Sequence, residues 1–173
     1  MHWKELIVKI LWLINITLPQ ASSYLNSKKN NSGGWLKYLS EEIPQKNKLV
    51  ILFPYSENNK FNINSVSYYG CITGDTQKYI PLMVKHFNEI IELEKPDVIH
   101  IWGTEHLHSY AMVCAAERNN IINKVCVSIQ GLVSIVAKHF MAGLSWREQL
   151  CFSLRDLLRK DTLNNKQKNL IYR

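Results

Sequence analysis

The sequence predicts an α/β fold of doubly wound type, a mainly parallel sheet with helices on both faces. Three observations predict it. Short runs that are almost wholly apolar, Lys9–Ile16 (KILWLINI), Lys48–Phe53 (KLVILF) and Val125–Ile129 (VCVSI), suit strands covered on both sides. Segments with helical spacing separate these runs. Asp97–Trp102 (DVIHIW), a helix from about His106 to Asn119, and Val125–Ile129 then make a βαβ unit, whose two strands run parallel. The 173 residues suffice for one domain, and 46% hydrophobic against 20% charged residues is a globular composition.

The first run, within Leu6–Leu18, is interrupted by Lys9 and Asn15 and falls short of the ~20 residues of a membrane span. No small-residue cleavage site follows it, so a buried strand is expected rather than a signal peptide. Gln20–Asn31 is polar, and no element is expected there. Ser32-Gly33-Gly34 opens a short amphipathic helix, Trp35–Glu42, with Trp35, Leu36 and Leu39 on one side. Pro54 ends the second strand. Ser56–Asn62 reads as a polar turn, before a weaker strand around residues 63–70. Asp75 or Thr76 caps a helix that runs to Glu94 and buries Ile80, Val84, Phe87 and Ile91. Ser145 and Glu148 form a capping-box pattern ahead of a helix whose apolar face is Trp146, Leu150, Leu154, Leu157 and Leu158. Residues 1–145 are expected to be one domain and 146–173 its basic helical extension.

Four cysteines, Cys71, Cys114, Cys126 and Cys151, lie far apart without a CxxC pair, as expected of reduced, mostly buried thiols in a cytoplasmic protein. The net charge of +7 is concentrated in residues 138–173, where eight basic side chains face three acidic ones. Such a surface suits anionic lipid headgroups or phosphorylated substrates, or it is simply a solvated helix face. Nucleic acid is not expected, because no reader motif accompanies the charge. The chain has no GxGxxG, no GxxxxGK[ST] and no GxSxG, which removes the usual dinucleotide site, the P-loop and the serine hydrolase elbow.

Open α/β sheets bind ligands at the carboxyl ends of their strands. This draws together the loops at 17–34, 103–108 and 130–134. Gly33 and Gly34 let backbone N–H groups approach a phosphate at a helix N-terminus, though a flexible turn fits them equally. His100 and Trp102 share one sheet face, and Glu105, His106 and His108 follow in the next turn. A histidine–carboxylate cluster of this kind suits acid–base work or sugar hydroxyls. A structural His100 and a helix-capping Glu105 remain alternatives. His106 and His108 are too close in sequence to share a helix face, so no metal is expected. Gln130 offers a donor and an acceptor at the site mouth, and Gly131 gives room.

Taken in order, the long loop and Ser32–Trp35 (SGGW), then Pro96–Glu105 (PDVIHIWGTE), then a small-residue helix and Val125–Leu132 (VCVSIQGL) resemble the N-terminal, acceptor-side domain of family 4 glycosyltransferases. These are retaining GT-B enzymes that use nucleotide sugars, and the resemblance covers nearly the whole chain. It implies a Rossmann-like domain, one half of a GT-B fold. It further implies transfer of a sugar to a glycan or lipid-linked acceptor in cell-surface polysaccharide or glycolipid synthesis. Gly33 and Gly34 match the loop that approaches the donor diphosphate. Gln130 stands where the family has a histidine, and with Glu105 and His100 it makes the candidate catalytic set. Trp35, Trp102, Thr104, His106, His108 and Gly131 are the candidate acceptor contacts. No metal and no cofactor is expected, the nucleotide sugar being a substrate, and the place of work is cytoplasmic at the inner face of an anionic membrane. The family's E-x7-E motif belongs to a second, donor-binding domain, and no two glutamates here lie eight apart. The chain therefore reads as a fragment or truncated product, inactive alone. The alternative is a non-catalytic, flavodoxin-like binding or regulatory module.

Overall fold

Branched and aromatic residues form six strands in the computed structural model, which describes residues 6–27, 34–74, 76–129, 133–158 and 162–171. They are β1 (Lys9–Leu13), β2 (Lys48–Tyr55), β3 (Asn59–Ile63), β4 (Val66–Ile72), β5 (Val98–Trp102) and β6 (Val125–Ser128). One sheet contains them in the order β3-β4-β2-β1-β5-β6. All neighbours are parallel except β3, which runs antiparallel along β4. Counted among themselves, the five parallel strands have the order 3-2-1-4-5. This is the Rossmann order and not the 2-1-3-4-5 of flavodoxin-like sheets, which corrects the flavodoxin-like alternative. The path leaves β1 towards β2 on one side and later crosses back to β5 on the other. Open sheets of this kind bind ligands outside the carboxyl ends of the strands where the order reverses, here β1 and β5.

Helices cover both faces because the strands are apolar on both. Leu11, Leu13, Val50, Leu52, Ile99 and Ile101 pack on α3 (Ile80–Glu94) and α4 (Leu107–Arg118), whose alanines at 111, 115 and 116 permit close approach. Trp12, Ile14, Leu49, Ile51 and Phe53 pack on the other side with Leu18 and Ala21 of α1 (Pro19–Tyr24) and its approach, and with Leu36 of α2 (Gly34–Glu42). Burying each such aliphatic or aromatic side chain contributes roughly 1.5–3 kcal/mol.

Several expectations need correction. The polar Ser56–Asn62 segment does not remain a turn, since Asn59–Ile63 is the edge strand β3. Phe61 is its one fully buried residue, with its ring stacked on Tyr24 at 4.4 Å and on Tyr68 at 5.4 Å, and Ile63 packs partly buried against the same cluster. Asn59, Lys60 and Asn62 are tolerated because an edge strand leaves polar groups in water. Asn64, with φ of 54°, turns the chain from β3 to β4. Within Gln20–Asn31, where no element was expected, α1 forms behind Pro19 and buries Ala21 and Ser22. Thr76 makes no side-chain cap, and α3 starts after a 3-10 turn at Gln77–Tyr79, while Asp75 lies outside the described residues. Cys71 is buried and Cys114 partly so, but Cys126 and Cys151 are exposed, so the thiols are not mostly buried.

At the amino ends of the strands, Glu94 closes α3. It accepts hydrogen bonds from Lys9 Nζ (3.1 Å), Lys60 Nζ (3.1 Å) and the Tyr69 hydroxyl. Lys9 Nζ also donates to the Glu94 carbonyl at 2.6 Å, capping the helix with a positive charge.

Residues Met1–Ser128 and Ile129–Arg173 are two separate compact units. The second contains α5 (Val133–His139), α6 (Trp146–Gln149), α7 (Leu154–Leu158) and α8 (Leu163–Ile171). The capping box at Ser145 and Glu148 forms in both directions. The helix it starts nevertheless ends at Gln149, and α7 begins afresh behind a second cap, where Ser153 N and Oγ donate to Asp156 Oδ2 at 2.9 and 2.7 Å. The single continuous apolar face expected there is therefore split. Gln167 Nε2 donates to the Ala137 carbonyl at 3.0 Å, tying α8 to α5.

Candidate functional site

Two parallel neighbours, β1 and β5, end side by side. β1 continues through Ile14 to Asn15, and β5 ends at Trp102 and turns at Gly103. Gly103 has φ of +100°, a conformation L residues rarely adopt. A Cβ there would lie 2.2 Å from Glu105 Oε2 and 2.6 Å from Asn15 Nδ2, so any other residue would strain the backbone and displace both side-chain ends. Its N–H donates to the Ser128 carbonyl at 2.8 Å, which joins the ends of β5 and β6.

Around this turn Asn15 links two of the expected residues. His108 Nε2 donates to Asn15 Oδ1 at 2.8 Å, and Asn15 Nδ2 donates to Glu105 Oε2 at 3.5 Å. The amide thus sets the histidine tautomer and orients the carboxylate. His108 is buried, while Glu105 and His106 are half-buried and Thr104 is exposed. His106 precedes α4 in extended conformation, which lets its ring lie parallel to that of His108 at 5.1 Å. The expectation that these two side chains stay apart is corrected by that extended residue. Among the described residues no group of three metal-ligating side chains comes together.

His100 turns to the opposite sheet face from Ile99 and Ile101. Its Nε2 is 2.8 Å from Ser128 Oγ, and its ring lies 3.9 Å from Trp102 and 6.5 Å from Trp12. Burial lowers its pKa, so the ring is neutral at pH 7. Trp102 meets Trp12 and Trp35 edge-on, at 5.5 and 4.8 Å. Its indole Nε1 is buried without a hydrogen-bond partner among the described residues, as is Ser109 Oγ in the first turn of α4. Trp35 is 50% exposed, so half its surface is available to a ligand. The end of β5 thus leads from an aromatic cluster at Trp102 to a loop with carboxylate, imidazole and amide groups, the ingredients for holding a hydroxyl-rich ring.

Gly34 starts α2, and a Cβ there would touch nothing within 4 Å. Gly33, Gln130 and Gly131 lie outside the described residues. Asn15 and Ser128 were not singled out from the sequence. The signal for Asn15 was its break in an apolar run at a strand's carboxyl end. Two clefts of about 380 and 410 Å³ lie at the other, amino-terminal end of the strands, away from these residues.

No protein-family profile matches the chain, and no curated protein matches it. Among solved structures it is similar to a chain assigned as a UDP-N-acetylglucosamine 2-epimerase from Listeria monocytogenes. The TM-score is 0.43 and the identity 15%, over 66% of this chain and 30% of that one. The chain thus spans less than a third of that protein's length. The Rossmann-like assignment rests on the strand order and the two helical layers described above.

Proposed function

We propose that this chain is the acceptor-binding half of a GT-B glycosyltransferase, which moves a sugar from a nucleotide-sugar donor to a glycan or lipid-linked acceptor. The observation that carries the reading is the Asn15–Glu105–His108 unit at the carboxyl ends of β1 and β5, with the half-exposed Trp35 packed on Trp102 at the end of β5. A carboxylate held by an amide accepts hydrogen bonds from sugar hydroxyls, and an indole face packs against the apolar face of a pyranose. The resemblance of Pro96–Glu105 and Ser32–Trp35 to family 4 glycosyltransferase segments supports the same reading. In it Glu105 and His100 act at the transferring sugar, Trp35, Trp102, Thr104 and His106 serve the acceptor, and His108 holds Asn15 in place. The resemblance assigns Gln130 to the transferring sugar, Gly33 and Gly34 to the donor diphosphate and Gly131 to the acceptor. No metal or cofactor takes part. The basic C-terminal tail meets an anionic membrane surface on the cytoplasmic side. No described helix is long and apolar enough to cross a membrane.

The test is a titration of the 15N-labelled chain with di- and trisaccharides and with nucleotide sugars. Resonances of Asn15, Gly103 and Thr104 and the Trp35 indole shift together on saccharide addition, and Trp35→Ala removes the response. If neither saccharides nor nucleotide sugars perturb these resonances at millimolar concentration, the proposal fails. Sugar transfer by the isolated chain is expected to be undetectable, because the donor half is proposed to lie in a second domain.

A further inference from the structure

The amino ends of the strands carry a charge that the fold's own contacts leave unbalanced. Lys9 opens β1 and Lys48 opens β2, and the two are direct partners in the parallel register. Each stands two residues before a side chain packed towards α3, Leu11 and Val50, so both lysines lie on that face of the sheet. Ser67 of β4 is the register partner of Val50 and shares the face. Like charges on neighbouring strand positions repel each other. Glu94 offsets only part of this, because its carboxylate is divided between Lys9 and Lys60, each at 3.1 Å. Asp97 is engaged by the Lys9 backbone N–H at 2.8 Å.

The cleft of about 410 Å³ opens here, with Lys9, Lys46 and Lys48 in its wall and Glu94 as the one carboxylate lining it among the described residues. Its lining therefore has an excess of two positive charges. The Lys46 and Lys48 side chains are exposed and make no ion pair or hydrogen bond with any described residue. The hydroxyls of Ser65 and Ser67, in the same wall, are likewise unpaired among the described residues. Asn47 uses its amide oxygen on the Val8 N–H at 3.2 Å, which leaves its amide N–H groups to donate. The wall is thus rich in donors and short of negative charge. A phosphoryl group supplies what is missing, a charge near −2 on oxygens that accept several hydrogen bonds. A single carboxylate would leave one charge unmatched. A concave cleft of this volume suits a small molecule, with Ile7 and Pro44 as apolar margin for its organic part.

We propose that the cleft at the amino ends of β1, β2 and β4 binds a small phosphorylated molecule, its phosphoryl group held by Lys9, Lys46 and Lys48 and by the Ser65 and Ser67 hydroxyls. β2 alone is eight residues long, at about 3.3 Å each, so the cleft and the Asn15–Glu105 loops lie at opposite ends of the sheet. It is a second site, independent of what those loops bind. Occupied, it removes the repulsion between the starts of β1 and β2, so the ligand stabilises the sheet.

The whole chain, 15N-labelled in phosphate-free buffer at low salt, is titrated with glucose 6-phosphate, inorganic phosphate and glucose. Glucose 6-phosphate shifts the amide resonances of Asn47, Lys48, Ser65 and Ser67 saturably and raises the melting temperature, while glucose leaves those four in place. Lys46→Gln/Lys48→Gln weakens binding by at least about tenfold, through loss of charge-assisted hydrogen bonds, with the spectrum otherwise unchanged. Ser65→Ala/Ser67→Ala weakens it severalfold and replaces the lysine variant should that one fail to fold. Inorganic phosphate binding as tightly as glucose 6-phosphate assigns the cleft to free phosphate, and weaker binding assigns it to a phosphate ester; both support the site. No saturable shift at millimolar concentration, or equal affinity in wild type and variants, overturns it. So do shifts confined to the basic residues 138–173, which would mark diffuse attraction of anions only. Loss of the saccharide response at Asn15, Gly103 and Thr104 with cleft binding intact counts against the sugar-site reading alone.

Discussion

Asn15→Ala is the perturbation that reports most directly on the carboxyl ends of β1 and β5. The wild-type amide accepts from His108 Nε2 at 2.8 Å and donates to Glu105 at 3.5 Å. His108 is only 4% exposed, so the substitution removes a buried N–H's acceptor, a loss of about 1–3 kcal/mol. The bond to Glu105 is at the limit of hydrogen-bond length, and a half-buried carboxylate can turn to water, so it adds a few tenths at most. The expected sum is about 2 kcal/mol, read as a fall in the urea midpoint at unchanged slope and in Tm of about 4–8 °C. Asn15→Asp keeps the acceptor for His108 but sets a second carboxylate beside Glu105. It should be rescued in part by Glu105→Gln, with a coupling of about 1 kcal/mol in a double-mutant cycle. The same variants should weaken saccharide binding, since Glu105 loses its orienting donor. A cost below about 0.5 kcal/mol for Asn15→Ala, or simple additivity of Asn15→Asp and Glu105→Gln, would refute the linkage of β1 to the β5 turn through this amide.

Gly103→Ala should cost about 2–3 kcal/mol, from backbone strain at φ of +100° and contact with Glu105 and Asn15, and should abolish saccharide-induced shifts; thermal melts and NMR check both. Gly34→Ala should leave stability unchanged or raise it by up to about 1 kcal/mol, because its Cβ meets nothing and alanine favours a helix. If its proposed role at the donor diphosphate is right, nucleotide-sugar affinity falls while the melt does not. Glu94→Gln should cost about 1–2 kcal/mol at pH 7, given that its lysine partners are partly solvated. Burial alone pushes the Glu94 carboxyl up, but hydrogen bonds from Tyr69, Lys60 and Lys9 outweigh it and hold its pKa below the ordinary 4.5. That stabilisation is therefore complete above pH 4.5 and is lost as pH falls through the lower folded value, so wild type and Glu94→Gln should converge in acid unfolding curves.

Saturated apolar runs determined β1, β2 and β6, weaker patterns marked β4 and β5, and helical spacing gave α3, α4 and the parallel βαβ unit, because burial on two faces favours apolar residues at successive strand positions. A glycine following DVIHIW likewise marked where β5 ends and the chain turns. The sequence could not reveal β3, whose membership depends on one ring, Phe61, lodging between Tyr24 and Tyr68 from distant parts of the chain. Nor could it reveal strand order, since 3-2-1-4-5 and 2-1-3-4-5 use the same local patterns and differ only in long-range pairing. Asn15 looked like a blemish in a strand. Only the pairing of β1 with β5 brings it, across 90 and 93 residues of sequence, to Glu105 and His108. The helix expected behind Ser145 was locally well signalled at its start. Its early end was decided by a second cap at Ser153 and by the absence of burial along its apolar side, where local propensity alone does not sustain a long helix.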